Sequence, residues 1–173
     1  MRGLLATAGF LLTLGSAAGA QAAPARDPSL TVFVVRHAER ATDDPRDPNL
    51  SEAGHRRAAE LARVLGDAGV TTLVASEYRR TQQTLAPLAA SRGIATTVIG
   101  AGSMDSLVAF VRALPPGSRA VIASHSNLVH LIVDRLAGVR PTPLTDTEYD
   151  RLFVVTVTSH GTGSVVTLRF GER

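Results

Sequence analysis

Two histidines and two arginines stand out among the polar residues of this 173-residue chain. Arg36 and His37 directly follow one apolar run, Arg80 lies shortly after a second run, and His125 closely follows a third. Guanidinium groups match phosphate oxygens through pairs of parallel hydrogen bonds. A neutral imidazole can attack phosphorus and form a phosphohistidine that water later cleaves. These residue types therefore predict a site that binds and transfers phosphoryl groups.

Such a site places demands on the groups around its nucleophile. The attacking nitrogen must keep a free lone pair, so the other ring nitrogen must donate to a fixed acceptor, commonly a backbone carbonyl. The arginines and the second histidine would hold the phosphoryl oxygens, where negative charge is stabilised during transfer. A general acid would protonate the leaving oxygen.

Apolar runs rich in β-branched residues predict the strands that position these side chains. Apolar residues at helical spacing, with Ser51 as an N-cap, predict helices between the strands. Strand and helix alternate four times before a closing hairpin, which predicts one domain with a three-layer α/β/α sandwich and a mostly parallel mixed sheet. The predicted strands are 30–35, 70–75, 94–99, 120–123, 152–158 and 164–170, and the predicted helices are one beginning at 51, then 77–91, one around 107–114, and 127–136.

The sheet explains why residues far apart in the chain would meet. In open α/β sheets, ligands bind beyond the carboxyl ends of the strands. The first, second and fourth predicted strands lead into 36–40 (RHAER), 76–80 (SEYRR) and 124–127 (SHSN). The sequence thus predicts that both histidines and both arginines lie at one edge of the sheet.

These segments resemble, in order, the motifs of the histidine phosphatase superfamily, which includes the phosphoglycerate mutases. Residues 36–39 (RHAE) resemble the motif Arg-His-Gly-Glu, and 124–127 (SHSN) resemble Gly-His-Ser-Asn. Residues 50–54 (LSEAG) and the pattern from Ser76 to Thr84 also match. The resemblance covers about 32–136 and implies a phosphoglycerate-mutase-like fold.

The resemblance also implies roles for individual residues. His37 would be the phosphorylated nucleophile, and Arg36, Arg80 and His125 would complete the phosphate pocket. Two further residues are assigned to substrate binding. They are Asn127, through its backbone N–H, and Glu39, at the end of the first motif.

Two positions depart from the family pattern. Ala38 and Ser124 stand where the motifs have glycine. If position 124 needs a positive φ, serine would be strained there. We expect neither change to abolish activity.

The proton donor is the open part of the site. The mutase-like branch has a glutamate between the pocket arginine and the second histidine, and the only acid in that interval here is Asp105. Asp105 is therefore the favoured donor. The alternatives are Glu39, Asp43 and Asp44 in the first loop, and Glu148 and Asp150 before the hairpin.

The first 22 residues predict a secretory signal peptide. One arginine precedes an apolar stretch, and small residues with A-x-A cleavage options follow it. An uncleaved membrane anchor is the competing interpretation, although the apolar stretch is short for a span. A cleaved signal predicts a periplasmic or secreted domain over 23–173 without a membrane span.

Composition excludes several other classes of protein. All 18 basic residues are arginine, the formal net charge is +3, and there is no cysteine. With no basic run or stripe, we expect no nucleic-acid partner. His125 and His130 are five residues apart, so they do not align on one face of a helix as a pair of metal ligands would. We therefore expect no metal, and we expect no other cofactor. The sequence leaves the oligomeric state open.

The sequence therefore predicts an exported phosphatase that hydrolyses a phosphomonoester of a small molecule through phospho-His37, without metal. A phosphoglycerate mutase is disfavoured by the export signal and by the short segment 99–120, which leaves little room for an insertion that encloses substrate. A protein-phosphohistidine phosphatase is also disfavoured by export. A catalytically silent anion-binding module is the alternative outside enzymes.

Overall fold

The computed structural model describes residues 29–158 and 163–172, so the predicted signal peptide at 1–22 and the turn of the predicted hairpin lie outside the described residues. The described residues form six strands and four helices. The strands are β1 Ser29–Arg36, β2 Thr72–Ala75, β3 Thr96–Val98, β4 Arg119–Ser124, β5 Arg151–Thr158 and β6 Gly163–Arg169, and the helices are α1 Glu52–Leu65, α2 Arg79–Arg92, α3 Met104–Arg112 and α4 Ser126–Ala137.

The six strands form one sheet in the order β3-β2-β4-β1-β5-β6. The pairs β2–β3, β2–β4 and β1–β4 are parallel, whereas β5 runs antiparallel to both β1 and β6. Every predicted strand is present, with ends shifted by one or two residues, as is usual for element boundaries. The predicted mixed sheet with its closing antiparallel pair is therefore confirmed.

The strand residues alternate between two apolar cores, one on each face of the sheet. Val32 and Val34 pack with α3 and α4 on one face. Phe33 and Val35 pack with α1 and α2 on the other. Because β1 lies between β4 and β5, both of its faces are covered, which accounts for its nearly continuous apolar sequence. The sheet with two helices on each face is the predicted α/β/α sandwich.

The loop after β1 is held against the start of α1. The Ser51 hydroxyl accepts the N–H of Gly54 as an N-cap and also donates to the carbonyl of Glu39. A Cβ at position 54 would overlap that same carbonyl oxygen, so only glycine allows this approach. The contact fixes the chain just after the residues expected to do chemistry.

Within 29–158 and 163–172, no helix combines the length and hydropathy needed to cross a bilayer.

Candidate functional site

The sheet brings the four expected pocket residues together. Arg36, at the end of β1, pairs in register with Ser124, at the end of β4, and Ala75 of β2 pairs with Ala123 of the same strand. The carboxyl ends of three neighbouring strands therefore meet at one edge. The His37 and His125 ring centroids lie 5.4 Å apart, and both residues are buried.

His37 is held in one tautomer by the backbone. Its Nδ1 lies 2.7 Å from the carbonyl oxygen of Ala38, which can only accept, so Nδ1 carries the hydrogen. In the neutral ring the lone pair is then on Nε2. Burial lowers the pKa of His37 to about 3, and the charges of Arg36 and Arg80 act in the same direction. The ring is therefore neutral at pH 7 and has the unprotonated nitrogen that nucleophilic attack requires.

His125 is oriented by a serine and an arginine. Its Nε2 lies 3.0 Å from the hydroxyl of Ser76, and its Nδ1 lies 3.5 Å from Nη2 of Arg80. A guanidinium only donates, so Nδ1 accepts and Nε2–H donates to the serine. Burial lowers the pKa of His125 to about 4, with Arg80 adding to the effect. Ser76, which belongs to the matched pattern but had no assigned role, is thus the residue that orients the second histidine.

Arg80 is nearly buried, and most of its donors are unused. Its guanidinium carbon lies 4.3 Å from the centre of the Tyr78 ring, and Nη1 lies 3.6 Å from a carboxylate oxygen of Asp47. Among the described residues, Nε and Nη1 have no hydrogen-bond partner. Burial lowers the pKa of Arg80, although arginine keeps its charge. A buried, charged fork with free donors is suited to binding an anion.

Arg36 joins the pocket to the loop before β5. Its Nη1 donates to the carbonyls of residues 145, 146 and 148 at 3.0, 2.9 and 3.0 Å. The guanidinium stacks on the Tyr149 ring at 3.9 Å, and Nη2 donates to the Tyr149 hydroxyl at 3.3 Å. Nε has no partner among the described residues. Arg36 therefore fixes the loop and keeps one buried donor available for an anion.

The two departures from the family motifs cause no backbone strain. No residue other than glycine has a positive φ in the described part of the chain, so Ser124 and Ala38 are both relaxed. Ala38 is fully buried and donates its N–H to the Thr84 hydroxyl at 2.9 Å. This bond ties the loop after β1 to α2 directly beside His37.

The four residues open into a polar pocket of about 330 Å³. Asn127 lines it from the first turn of α4, where backbone N–H groups have no acceptor within the helix, as its predicted role requires. Within 29–158 and 163–172, no three potential metal-ligating side chains cluster together. The residues lining the pocket are Arg36, His37, Arg40, Tyr78, Arg80, Ala101, His125, Ser126, Asn127, Leu128 and Asp146.

Asp105 does not lie at the pocket, which corrects its prediction as proton donor. It is in the first turn of α3, with its side chain 88% exposed and paired with Arg135. Arg135 is nine residues into α4, about 13 Å along the helix from the end that faces the pocket. Asp105 follows β3 in the chain as the sequence indicated. Its side chain, however, pairs with Arg135 and does not enter the pocket.

Glu39 also faces away from the pocket, which corrects its predicted role in substrate binding. Both of its carboxylate oxygens accept from Arg57 of α1, at 2.8 to 3.0 Å. It lines a different cavity of about 420 Å³, near the N-terminal part of α1. The bidentate pair with a nearly buried arginine fixes this orientation.

The alternative proton donors are all engaged elsewhere. The Asp43 carboxylate accepts a hydrogen bond from the side-chain amide of Asn49. The Asp44 carboxylate accepts the backbone N–H of Arg46 and forms an ion pair with Arg79. Glu148 accepts from Thr145 N–H and from Arg151, which lowers its pKa to about 2. Asp150 is buried in a pair with Arg169.

Tyr78, Arg40 and Asp146 are among the lining residues that were not assigned to the site from the sequence. The rings of Tyr78 and His125 meet edge to face, with their centroids 5.2 Å apart and their planes at 88°. Tyr78 lies between the motif positions Ser76 and Arg80 and was given no role from the sequence. Arg40 and Asp146 come from the segments 40–50 and 140–150. These segments carry no motif that would single out a residue.

A buried nucleophilic histidine beside unused guanidinium donors defines a phosphoryl-handling site on an α/β/α sandwich. The model of the histidine phosphatase superfamily (branch 1) matches residues 32–100. Over these residues the chain is similar to the histidine phosphatase superfamily, in agreement with the motifs that its sequence carries. No curated protein matches the sequence.

Solved structures with the same fold include both phosphatases and a mutase. The protein histidine phosphatase SixA, complexed with tungstate, has a TM-score of 0.68 at 22% identity, over 80% of this chain and 96% of that chain. A mycobacterial glucosyl-3-phosphoglycerate phosphatase has a TM-score of 0.62 at 15% identity, over 83% and 100%. The phosphoglycerate mutase of Plasmodium falciparum has a TM-score of 0.56 at 15% identity, over 84% and 92%. These likenesses show the fold.

Proposed function

We propose that the protein is a phosphatase that hydrolyses a small phosphomonoester through a phosphohistidine on His37. The observation that carries this proposal is the fixed tautomer of His37. The Ala38 carbonyl takes the Nδ1 hydrogen, which leaves a lone pair on Nε2 of a ring that burial keeps neutral. Arg36 and Arg80 make protonation of the His37 ring unfavourable. A histidine with only a packing role would not need these two charges beside it.

The neighbouring side chains supply what the transfer needs. In the first step, the Nε2 lone pair of His37 forms the bond to phosphorus while the ester P–O bond breaks. In the second step, water attacks phosphorus, the P–N bond breaks, and inorganic phosphate is released. Nε of Arg36 and Nε and Nη1 of Arg80 donate to the phosphoryl oxygens, where charge is stabilised in the transition state, and His125 contacts Arg80 through its Nδ1.

A metal is not required by this scheme, because two guanidinium groups already supply positive charge at the reacting phosphoryl group. We also propose that the domain acts outside the cytoplasm, since residues 1–22 read as a secretory signal. Both proposals rest on sequence and site chemistry, and each is open to direct test.

The first experiment compares the purified domain with His37→Ala on p-nitrophenyl phosphate in the presence of EDTA. We expect hydrolysis by the wild type in EDTA and loss of that hydrolysis in the variant. His55→Ala is the matched control, because His55 is an exposed residue of α1 that does not line the pocket. Activity that survives His37→Ala would overturn the proposal, and activity that is lost in EDTA would overturn its metal independence.

A second measurement follows the covalent intermediate. Brief reaction with a ³²P-labelled ester, quenched by denaturation, should leave label on the wild type that is lost in acid and kept in alkali. His37→Ala should carry none. Phosphate binding without turnover or label would instead identify a silent anion-binding module.

A protein-phosphohistidine phosphatase is the second candidate function. The observation in its favour is size, since the chain covers 96% of SixA, and the connection from β3 to α3 is only residues 99–103. A pocket without a long covering segment can admit a phosphorylated side chain on a protein. Comparing kcat/KM for a phosphohistidine peptide with kcat/KM for sugar, nucleotide and glycerol phosphates separates the two functions.

A further inference from the structure

The carboxylate of Asp146 stands apart from every other acid near the pocket. Asp146 is the one acidic residue that lines the pocket, within the described part of the chain. Its side chain forms no hydrogen bond or ion pair with any described residue, and it is exposed to solvent. It is therefore free to contact a ligand that enters the pocket.

The other acids close to the pocket in sequence or space are already bound. Asp47 pairs with Arg79 and lies near Arg80, and Glu77 accepts the N–H of Ala101 at 2.7 Å. The acids proposed from the sequence are occupied as described above. A carboxylate whose oxygens already accept from arginine or from backbone N–H groups is not free to reach a leaving oxygen in the pocket. Elimination leaves Asp146.

The turn that carries Asp146 is anchored to the nucleophile's own neighbour. Arg36 Nη1 donates to the Asp146 carbonyl at 2.9 Å and to the carbonyls of residues 145 and 148 at 3.0 Å, and the Glu148 carboxylate accepts the N–H of Thr145 at 2.9 Å. Arg151 holds Glu148 in turn, at 2.7 Å. The backbone of the turn is therefore fixed at the pocket, and the Asp146 side chain is free to reach a ligand there.

The Asp146 carboxylate also interacts with an arginine of the pocket. Burial lowers the pKa of Arg36, and the negative charge of Asp146 partly offsets this effect. The carboxylate is thus close enough to Arg36 to interact with it, although the two side chains form no ion pair in the described part of the chain. Asp146 is therefore an acid that lines the pocket beside a phosphate-binding arginine.

We propose that Asp146 is the general acid that protonates the leaving oxygen during transfer to His37. This inference rests on the proposed phosphatase function. As the bond from Nε2 to phosphorus forms and the ester P–O bond breaks, the electron pair goes to the ester oxygen, which takes the Asp146 proton and leaves as an alcohol. The resulting carboxylate then accepts a proton from water as water attacks phosphorus and the P–N bond breaks. Phosphate and protonated Asp146 result.

Leaving groups of different acidity test this assignment. A p-nitrophenolate leaves well without a proton, whereas the alkoxide of glycerol phosphate does not. We expect Asp146→Asn to lower kcat/KM for glycerol 2-phosphate by about 10²–10⁴-fold and for p-nitrophenyl phosphate by much less. Because kcat/KM reports steps up to phosphorylation of His37, the later attack of water does not blur the comparison.

The matched control is Asp105→Asn, the same chemical change at the exposed acid that the sequence favoured. It should alter neither ester selectively. Inhibition by inorganic phosphate should persist in Asp146→Asn, which shows that the pocket is intact.

The outcomes separate the inference from the proposed function. A wild type inactive on both esters overturns both. An active wild type whose Asp146→Asn variant loses both esters equally, or neither, overturns the general-acid role alone. A loss confined to glycerol phosphate in Asp105→Asn instead would return the role to Asp105.

Discussion

Two arginines that are equally hidden from solvent have opposite surroundings. The side chains of Arg57 and Arg80 are 9% and 12% exposed. All three guanidinium nitrogens of Arg57 have acceptors, which are the Glu39 carboxylate and the carbonyls of Phe170 and Glu172. Arg80 has no hydrogen-bond partner for Nε or Nη1 among the described residues, a 3.6 Å contact from Nη1 to Asp47 and a 3.5 Å contact from Nη2 to His125.

The difference separates an arginine that holds the fold together from one that serves a ligand. Arg57 links α1, the loop after β1 and the C-terminal segment. Burying a charge without hydrogen-bond partners costs free energy, so the fold gains nothing from the unused donors of Arg80. The Nε and Nη1 donors of Arg80 are therefore available to a ligand bound in the pocket.

The largest effect should follow from removing the fork of Arg80. Arg80→Gln should lower kcat/KM for p-nitrophenyl phosphate by about 10²–10³-fold, because the donors that stabilise transition-state charge are lost. Its free energy of unfolding should be unchanged or higher. Arg80→Lys keeps the charge without the fork, so it should restore little activity. Kinetics and urea denaturation on the same samples check both statements.

If Arg80→Gln destabilised the fold as much as it reduced activity, the contrast between the two arginines would fail. The pair Arg80→Gln and Arg80→Lys also separates charge from geometry. Full activity in Arg80→Lys would show that a point charge is enough and that bidentate binding is not used.

Removing Arg57 should have the reverse effect. Arg57→Gln should lower the free energy of unfolding by about 1–3 kcal/mol, because it leaves the Glu39 carboxylate and two carbonyls without their donor. Glu39 is 23% exposed, so water replaces part of the loss. Activity on p-nitrophenyl phosphate should persist at temperatures where the variant is folded.

Glu39→Gln serves as the partner variant for Arg57. It should be destabilising in the same direction and keep the phosphate affinity of the wild type. Weakened phosphate inhibition in Glu39→Gln would restore Glu39 to the binding site and contradict the orientation of its side chain.

The sequence predicted the layers, the sheet edge and four site residues, since these depend on apolar periodicity and on motifs directly after strands. It did not predict the orientation of Glu39 or Asp105, because each is turned by an arginine 18 or 30 residues away. Nor did it find Asp146, whose position depends on an irregular turn held by Arg36. Periodicity locates backbones, but long-range ion pairs decide where charged side chains point.

The buried histidines should make stability depend on pH in a defined window. The pKa of His37 is lowered by burial to about 3, against about 6.5 in the unfolded chain. Below pH 6.5 the unfolded state takes up a proton that folded His37 does not, so its stability contribution is complete above 6.5 and is lost as the pH falls. The slope is up to about 1.4 kcal/mol per pH unit for each such histidine.

Urea denaturation at pH 7, 6 and 5 measures this slope above the range in which most carboxylates titrate. His37→Asn should reduce the slope by up to one proton, whereas His55→Asn, at an exposed position of α1, should leave it unchanged. A slope unaffected by His37→Asn would mean that folded His37 is protonated over this range, against the burial that surrounds it.

The smallest effect should come from Arg40, which completes the comparison as an arginine that is neither satisfied nor buried. It lies exposed at the pocket and has no ion-pair partner among the described residues. Burial and, more weakly, its like charge lower the pKa of Arg36 and Arg80. Arg40→Gln should weaken inhibition by inorganic phosphate about 2–5-fold at low salt, with the difference shrinking as salt screens it.

Arg46→Gln, exposed in the same loop but outside the pocket lining, should change phosphate inhibition less than Arg40→Gln does. Equal effects from the two variants would show that phosphate responds to the net charge of the loop, and a loss as large as that of Arg80→Gln would place Arg40 in direct contact with the phosphoryl group.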